Sequence, residues 1–544
     1  MKGKVILFAI LIAGIMIVPT NIAIEKKGNS NTHAIMIHPK LIKANVMRGP
    51  IAKMQPVEKI GGRKPLNLDG DVQVTSAEND QLHPAIVTSS DGSMLVLYEN
   101  FVSFFDGDIF AASSTDGQTW SFAGGFNIPD LRETYPAIDI INGREAIGTW
   151  VPDPSDGTSG GMSYYGYFGD IMDNTTWHAG RVDWGSYGFI YYQSCAAAGY
   201  GLQAKPTTYF NGVWFWTCDN EYSGYEEDHS IIFSYNTNDE GYVQLIFWYG
   251  FSDDLYNISA DIDQSNGMMY FVMEGHNETN PSIYRTRALY CQINASLGED
   301  WWNTDYYGFA INNSIHPDVA AAGGIVYIVA EQIELGYNHN IICAYSSNNG
   351  KTWNVVPIAN TGDQETNPSV YAYPGGAATC VFMKNGDLYA SHTTDGGATW
   401  TTPEKVTDSS SIIEGYHGAD ISQGGNAVWM DNRNGNADIY YDNVGIPAAI
   451  MNIEEMSGGF GITVKVKNIG GVDGKDIPWK ISFTGLVLIG KEKSGTLDIA
   501  VGEEKIIKSG FVFGIGPVTV TANVGGTVKT AKGIMLGPLI LGLS

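Results

Sequence analysis

One eight-residue pattern recurs along the chain and limits its fold more than any other feature. SSTDGQTW at 113–120, SSNNGKTW at 346–353 and TTDGGATW at 393–400 share one frame. A Ser or Thr is followed two residues on by Asp, Asn or Thr, then by Gly, Thr and Trp. NASLGEDW at 294–301 is a weaker copy. A second element precedes the octamer, as in DIFAASS (108–114) and DLYASHT (387–393), and recurs as ADIYYDN (437–443). A third opens each unit: HPAIVTS (83–89), YPAIDII (135–141), KPTTYFN (205–211), HPDVAAA (316–322) and NPSVYAY (367–373), with looser versions NISADID (257–263) and HGADISQ (417–423). The seven starts lie roughly 50 to 70 residues apart, which is the period of a propeller-like array.

Within the first unit AIVTS, SMLVLYE, DIFAASS and QTWSFAG read as four strands joined by tight turns. The last unit, 417–444, supplies only three. DVQVTSAENDQLHPAI (71–86) resembles KVTDSSSIIEGYHGADI (405–421), so residues 70–76 are expected to close the ring by pairing with the last unit. With 66 Gly, 30 Tyr and 13 Trp and no sustained helical periodicity, the chain reads as all-β. The expectation is a seven-bladed β-propeller, with six blades as the alternative because 175–260 is poorly defined.

The flanks differ from the array. MKGKVILFAILIAGIMIVPTN carries two lysines and an apolar run from Val5 to Val18, the form of a secretory signal over residues 1–24, with a retained anchor as the alternative. Either implies a secreted or extracellular chain, cleaved or anchored at the cell surface. Residues 25–68 are basic and aperiodic and read as a linker or pro-segment. After Gly445, ITVKVKN, WKISFTG, SGTLDIA and PVTVTANV alternate apolar and polar residues, so 446–544 reads as an Ig-like β-sandwich. The five cysteines show no metal-ligand spacing. Cys195–Cys218 and Cys343–Cys380 are the first disulfide pairs to test, against buried free thiols.

The octamer is similar to the Asp-box, or BNR repeat, and residues 69–445 resemble a sialidase-type β-propeller. The C-terminal stretch resembles CARDB-type modules. In that family the box is a structural turn on the face opposite the active site. The resemblance therefore implies structural roles for Ser113, Gly117, Trp120, Asn348, Gly350, Trp353, Asp395, Gly397 and Trp400. It also implies three arginines gripping a substrate carboxylate, a Tyr–Glu nucleophile and an Asp acid/base. This chain departs from that pattern. The arginine-bearing F-R-I-P motif has no clear counterpart, and FNIP at 126–129 places Asn127 where the arginine would stand.

Charge narrows the partners. Residues 69–445 hold ten basic residues against 48 acidic ones, a net charge near −38, while 446–544 hold ten against eight. The acidic domain is unsuited to nucleic acid, to an anionic membrane surface and to anionic sugars. The ends of the second strands carry Glu99, Asp153, Asp219, Glu274, Glu331 and Asp431, and the loops leading into the first strands bring His83, Tyr135, His316, Glu365 and His417. Both sets open on one face of a propeller. The functional reading is an axial funnel for a glycan or a surface protein, with no certain cofactor or metal and Ca²⁺ as a candidate. The bland reading is strands that end in polar residues. Asp431, Arg433 and Asp438 flank a hairpin at 429–441, as an internal clamp or, in the minority reading, with Arg433 gripping a ligand. Asn174, Asn257, Asn277, Asn294 and Asn312 stand in Asn-x-Ser/Thr sequons that would mark exposed surface. The function expected is recognition without catalysis, with a glycoside hydrolase as the alternative.

Overall fold

The computed structural model describes residues 70–127, 131–152, 162–183, 189–200, 212–221, 229–237, 240–247, 253–277, 280, 282–293, 306–334, 338–445 and 448–543, with short strands at Thr32–His33, Ile35–Ile37 and Lys40–Lys43. The chain is all-β. Among the described residues seven antiparallel sheets follow one another along 70–445. Their first strands are Asp80–Thr88, Glu133–Asn142, Phe189–Gly199, Asp253–Asp263, Ser314–Ala322, Glu365–Tyr373 and Ala419–Ser422. Each sheet runs through its strands in chain order. The seventh completes itself with Val72–Gln73, which pairs with Asp438–Asn443 in the register Gln73–Tyr440 and Val72–Tyr441. The three short N-terminal strands add to the outer strands of the third, fourth and fifth sheets. Residues 25–68, read as a linker, thus hold strands at these places.

Second strands show why the chain folds this way. Met94–Asn100 and Ala377–Met383 are buried residue after residue, because neighbouring sheets cover both faces of the strand. The clusters that result cross sheet boundaries. Leu95, Leu97 and Ile109 of the first sheet pack with Trp150, Tyr164 and Trp177 of the second. Ile86, Val96 and Phe110 of the first pack with Val428 and Ile439 of the seventh. Cys343 and Cys380 are buried free thiols in one such cluster, and Cys195 and Cys291 are also free and buried. The expected Cys343–Cys380 bridge is absent, and Cys218 lies outside the residues whose side chains are described.

Past residue 448 the burial pattern becomes alternating, as along Thr463–Asn468. A three-stranded sheet and a five-stranded sheet share one core that includes Ile453, Val464, Val466, Ile481, Phe483, Val520 and Val524. This unit meets the sixth sheet where Ile450 packs on Tyr373 and Ala377. Gly526 is required there, since a Cβ on it would come within 2.8 Å of the Gly375 nitrogen.

Candidate functional site

Five first strands contain a non-glycine residue in the left-handed region, His83 (φ 51), Tyr135 (φ 50), Asn257 (φ 50), His316 (φ 46) and Asn367 (φ 48), and His417 (φ 53) stands just before the first strand of the seventh sheet. That conformation strains a residue with a Cβ, so its recurrence in six sheets marks a shared design. In the first, fourth, fifth and sixth sheets the pairing register slips at this point, between Leu82 and Ala85, Tyr256 and Ser259, Ile315 and Asp318, and Thr366 and Ser369. A bulge with a left-handed residue re-aims a side chain. Rings from four sheets then meet. His83 lies 4.4 Å from Tyr135, and Tyr416 lies 3.9 Å from His417 and 5.9 Å from both Tyr135 and His316.

The carboxylates expected in the funnel stand behind these rings, each buried and engaged. Glu99 accepts from Arg132 Nε at 2.7 Å and Thr134 Oγ1 at 2.5 Å, with His83 Nε2 at 3.7 Å. Glu274 bonds His276 and accepts from Asn257 Nδ2 at 2.8 Å. Its Oε2 also accepts the backbone N–H of His316 in the next sheet, at 2.9 Å. Glu331 repeats the arrangement one sheet on. It bonds His339 and His316 Nδ1 (3.0 Å), and it accepts the backbone N–H of Asn367 in the sixth sheet at 3.1 Å. Glu274 and Glu331 therefore hold the left-handed residue of the following sheet.

Burial alone would raise the pKa of Glu274 and Glu331, but the hydrogen bonds of His276 and His316 hold both below the usual carboxylate range. Burial would lower His316, yet its bond to Glu331 and the charge of Glu274 raise it. His417 behaves oppositely, since burial and then the nearby His83 and His316 take it down to about 3. The mouth thus joins a histidine that favours its charged form to one that stays neutral.

Asp431 and Arg433 form an internal clamp. Arg433 forks onto Asp431 (Nε–Oδ1 3.0 Å, Nη2–Oδ2 2.6 Å), reaches Asp71 at 2.7 Å and lies over the Tyr440 ring at 4.2 Å. Asp438 instead accepts from Gln73 Nε2 at 2.9 Å. The ligand role for Arg433 gives way to ring closure, because Asp71 stands just before the closing strand. Arg144 pairs with Asp91 and Asp170, and Arg285 and Arg287 are buried on Tyr284–Gln292, opposite Gly275 and Met273 on either side of Glu274. Glu365 is buried beside Thr361 and Lys384. Asp219 and Arg181 lie outside the residues whose side chains are described, as does Asp153. The sequon at Asn257 is no surface marker, because its amide is held by Glu274. Asn294 lies outside the described residues.

The octamers are turns. Asn348 Oδ1 accepts from Thr352 N at 2.9 Å and Asp395 Oδ1 from Thr399 N at 2.9 Å, while Ser346 and Thr393 hydroxyls accept from Gly350 N and Gly397 N. In the first copy Ser114 and Asp116 do this work, one position later than the expected Ser113 and Thr115. Each box packs on the preceding sheet, with Trp120, Trp353 and Trp400 against Tyr441, Tyr290 and Tyr327. Gly350 must lack a side chain, since a Cβ would meet the Tyr290 ring at 2.5 Å.

Behind the mouth, a cavity of about 770 Å³ runs along the first strands from His316, Tyr416 and His417 to a floor at Ile450–Glu454 and Gly526–Lys529. Four aspartates on its wall bridge the sheets. Asp139 accepts from Gly199 N at 2.6 Å, Asp261 from Ala321 N at 2.7 Å, Asp318 from Val370 N at 2.7 Å and Asp420 from Ile86 N at 2.8 Å. Burial raises the pKa of all four, Asp420 to about 7. Sequence reasoning passed over these aspartates and Tyr416, although YPAIDII, NISADID, HPDVAAA and HGADISQ all contain such an Asp. Among the described residues no group of three or more His, Cys, Asp and Glu is arranged to hold a metal.

Residues 302–434 match the BNR repeat-like domain. No curated protein matches the chain. Solved structures similar to it include a Hadza microbial sialidase, at 12% identity and TM-score 0.36, covering 67% of this chain and 65% of that one. An α-L-arabinanase of Penicillium chrysogenum is 12% identical, with TM-score 0.36 over 70% of this chain and 99% of that one. An α-L-arabinofuranosidase of Fusarium graminearum is 10% identical, with TM-score 0.36 over 67% and 93%.

Proposed function

We propose that residues 69–445 form a seven-bladed propeller, that 446–544 form a β-sandwich on its base, and that the exported chain binds a glycan at the axial mouth without cleaving it. The observation that carries the reading is the engagement of Glu99, Glu274 and Glu331 by the protein's own Arg, His and backbone groups. Glycoside hydrolysis needs two carboxylates facing the sugar, about 5–5.5 Å apart for retention or 6.5–9.5 Å for inversion. Here these carboxylates fasten one sheet to the next. The mouth offers Tyr135, Tyr416, His316 and His417, rings that suit the apolar faces of a sugar and groups that can bond its hydroxyls. The acidic domain around them favours a neutral or cationic glycan, and a surface protein is the second candidate.

A glycan array and a panel of aryl glycosides and sialosides test the reading together. Glycan binding that weakens on Tyr416→Ala, with no turnover on any substrate, is the expected result. Turnover that disappears in Glu274→Gln would overturn it. The hydrolase alternative has one observation in its favour: the charge-favouring His316 stands 5.9 Å from the Tyr416 ring at the cavity mouth.

A further inference from the structure

The five-stranded sheet of the C-terminal unit turns one face away from the shared core, and that face is divided. Ser482, Thr519, Thr521 and Thr530 occupy one half, nearer the Gly525–Gly526 turn that meets the propeller side. The other half is apolar, with Ile515 paired opposite Leu536 and Pro517 opposite Ile534. Leu488 is 63% exposed, Ile515 59% and Leu536 52%, and loop residues Phe460 (82%) and Phe511 (66%) continue the patch around the end of the unit. Phe460 is tied to this sheet by its bridge to Leu539. At about 3.3 Å per strand residue, Phe513 lies about 35 Å from the turn that contacts the propeller.

The apolar surface exposed here is on the order of 1,000 Å², well above what a soluble domain ordinarily leaves uncovered. Lys491 and Lys508 are exposed on the segments that run out of and into it, and neither forms an ion pair among the described residues. Apolar side chains at a tip, rimmed by unpaired lysines, match the acyl boundary and headgroup charge of an anionic bilayer. We propose that this end docks on an anionic lipid surface and holds the acidic propeller away from it. The unsuitability of the propeller for such a membrane does not extend to an end some 35 Å away, beyond the roughly 8 Å screening length of physiological salt. The inference goes beyond the glycan-binding reading and does not depend on it.

The test uses the full chain carrying Leu488→Cys labelled with an environment-sensitive fluorophore, with Thr530→Cys on the polar half as control and the unsubstituted chain as labelling blank. The label reports the tip itself, whatever residues 1–24 do. Phosphatidylglycerol vesicles should blue-shift the label at 488 and expose it to quenching by spin-labelled acyl chains, with no change at 530. Phosphatidylcholine vesicles should do neither. Changing Lys491 and Lys508 together to Gln should weaken the response roughly thirtyfold without altering the melting temperature. An unshifted label at 488 with anionic vesicles overturns the proposal. So does a shift without lipid that rises with protein concentration, since a second copy would then cover the patch.

Discussion

At the residue scale the candidate site contains strained backbone held by buried carboxylates. Glu331 joins His316, His339 and the backbone of Asn367, so shortening it leaves three polar partners unsatisfied at once. Glu331→Ala should therefore destabilise the protein by about 3 kcal/mol in urea unfolding, a typical cost of breaking a buried charged pair. An effect below about 0.5 kcal/mol would mean that Glu331 is no inter-sheet pin. Asp395→Ala removes the acceptor that closes its turn and should cost about 1 kcal/mol by the same measurement while leaving ligand affinity unchanged. The structural role of the octamer was readable in TTDGGATW, because a short acid, a glycine and a tryptophan make a turn intelligible without its surroundings. The role of Glu331 was not. An acid at a strand end looks the same in sequence whether it faces solvent or holds the next sheet, and its partners lie 8 to 36 residues away.

At the scale of elements the first strands bear the load, through Asp139, Asp261, Asp318 and Asp420 bridging to their neighbours. A carboxyl whose folded pKa is raised keeps a proton that the unfolded chain releases near 3.8. Its stabilising effect is full below that pH and is lost as pH rises through the folded value, about 7 for Asp420. His417 acts in the opposite sense, since its neutral form is favoured and its contribution fades as pH falls from 6.5 towards about 3. With four carboxyls against one histidine, the melting temperature should fall by a few degrees between pH 5 and pH 8, and Asp420→Asn should flatten that slope. A melting temperature that rises over this interval would contradict the assignment. The closing strand makes a separate prediction. Arg433→Lys loses the fork between Asp431 and Asp71, so protease should cut the chain near residue 70 several-fold faster. The seventh sheet's borrowed strand was legible because 71–86 and 405–421 share a pattern. The left-handed residues were not, since His-Pro and Tyr-Pro give no sign of a positive φ.

At the scale of the molecule the fold class followed from repetition, and the described residues carry it as seven sheets, with the repeat-like domain matched over 302–434. What the sequence concealed was convergence. His83, Tyr135, His316 and His417 read as residues of the loops leading into the first strands, but only the packing of the sheets brings them together with Tyr416. The distinction between recognition and catalysis rests on what the mouth does to a bound sugar. The most direct measurement is mass spectrometry of a neutral glycan pool incubated with the protein and then recovered from it. The account predicts that bound glycans return at their starting masses, and that Tyr416→Ala retains fewer of them. Shortened glycans whose formation stops in Glu274→Gln would contradict it.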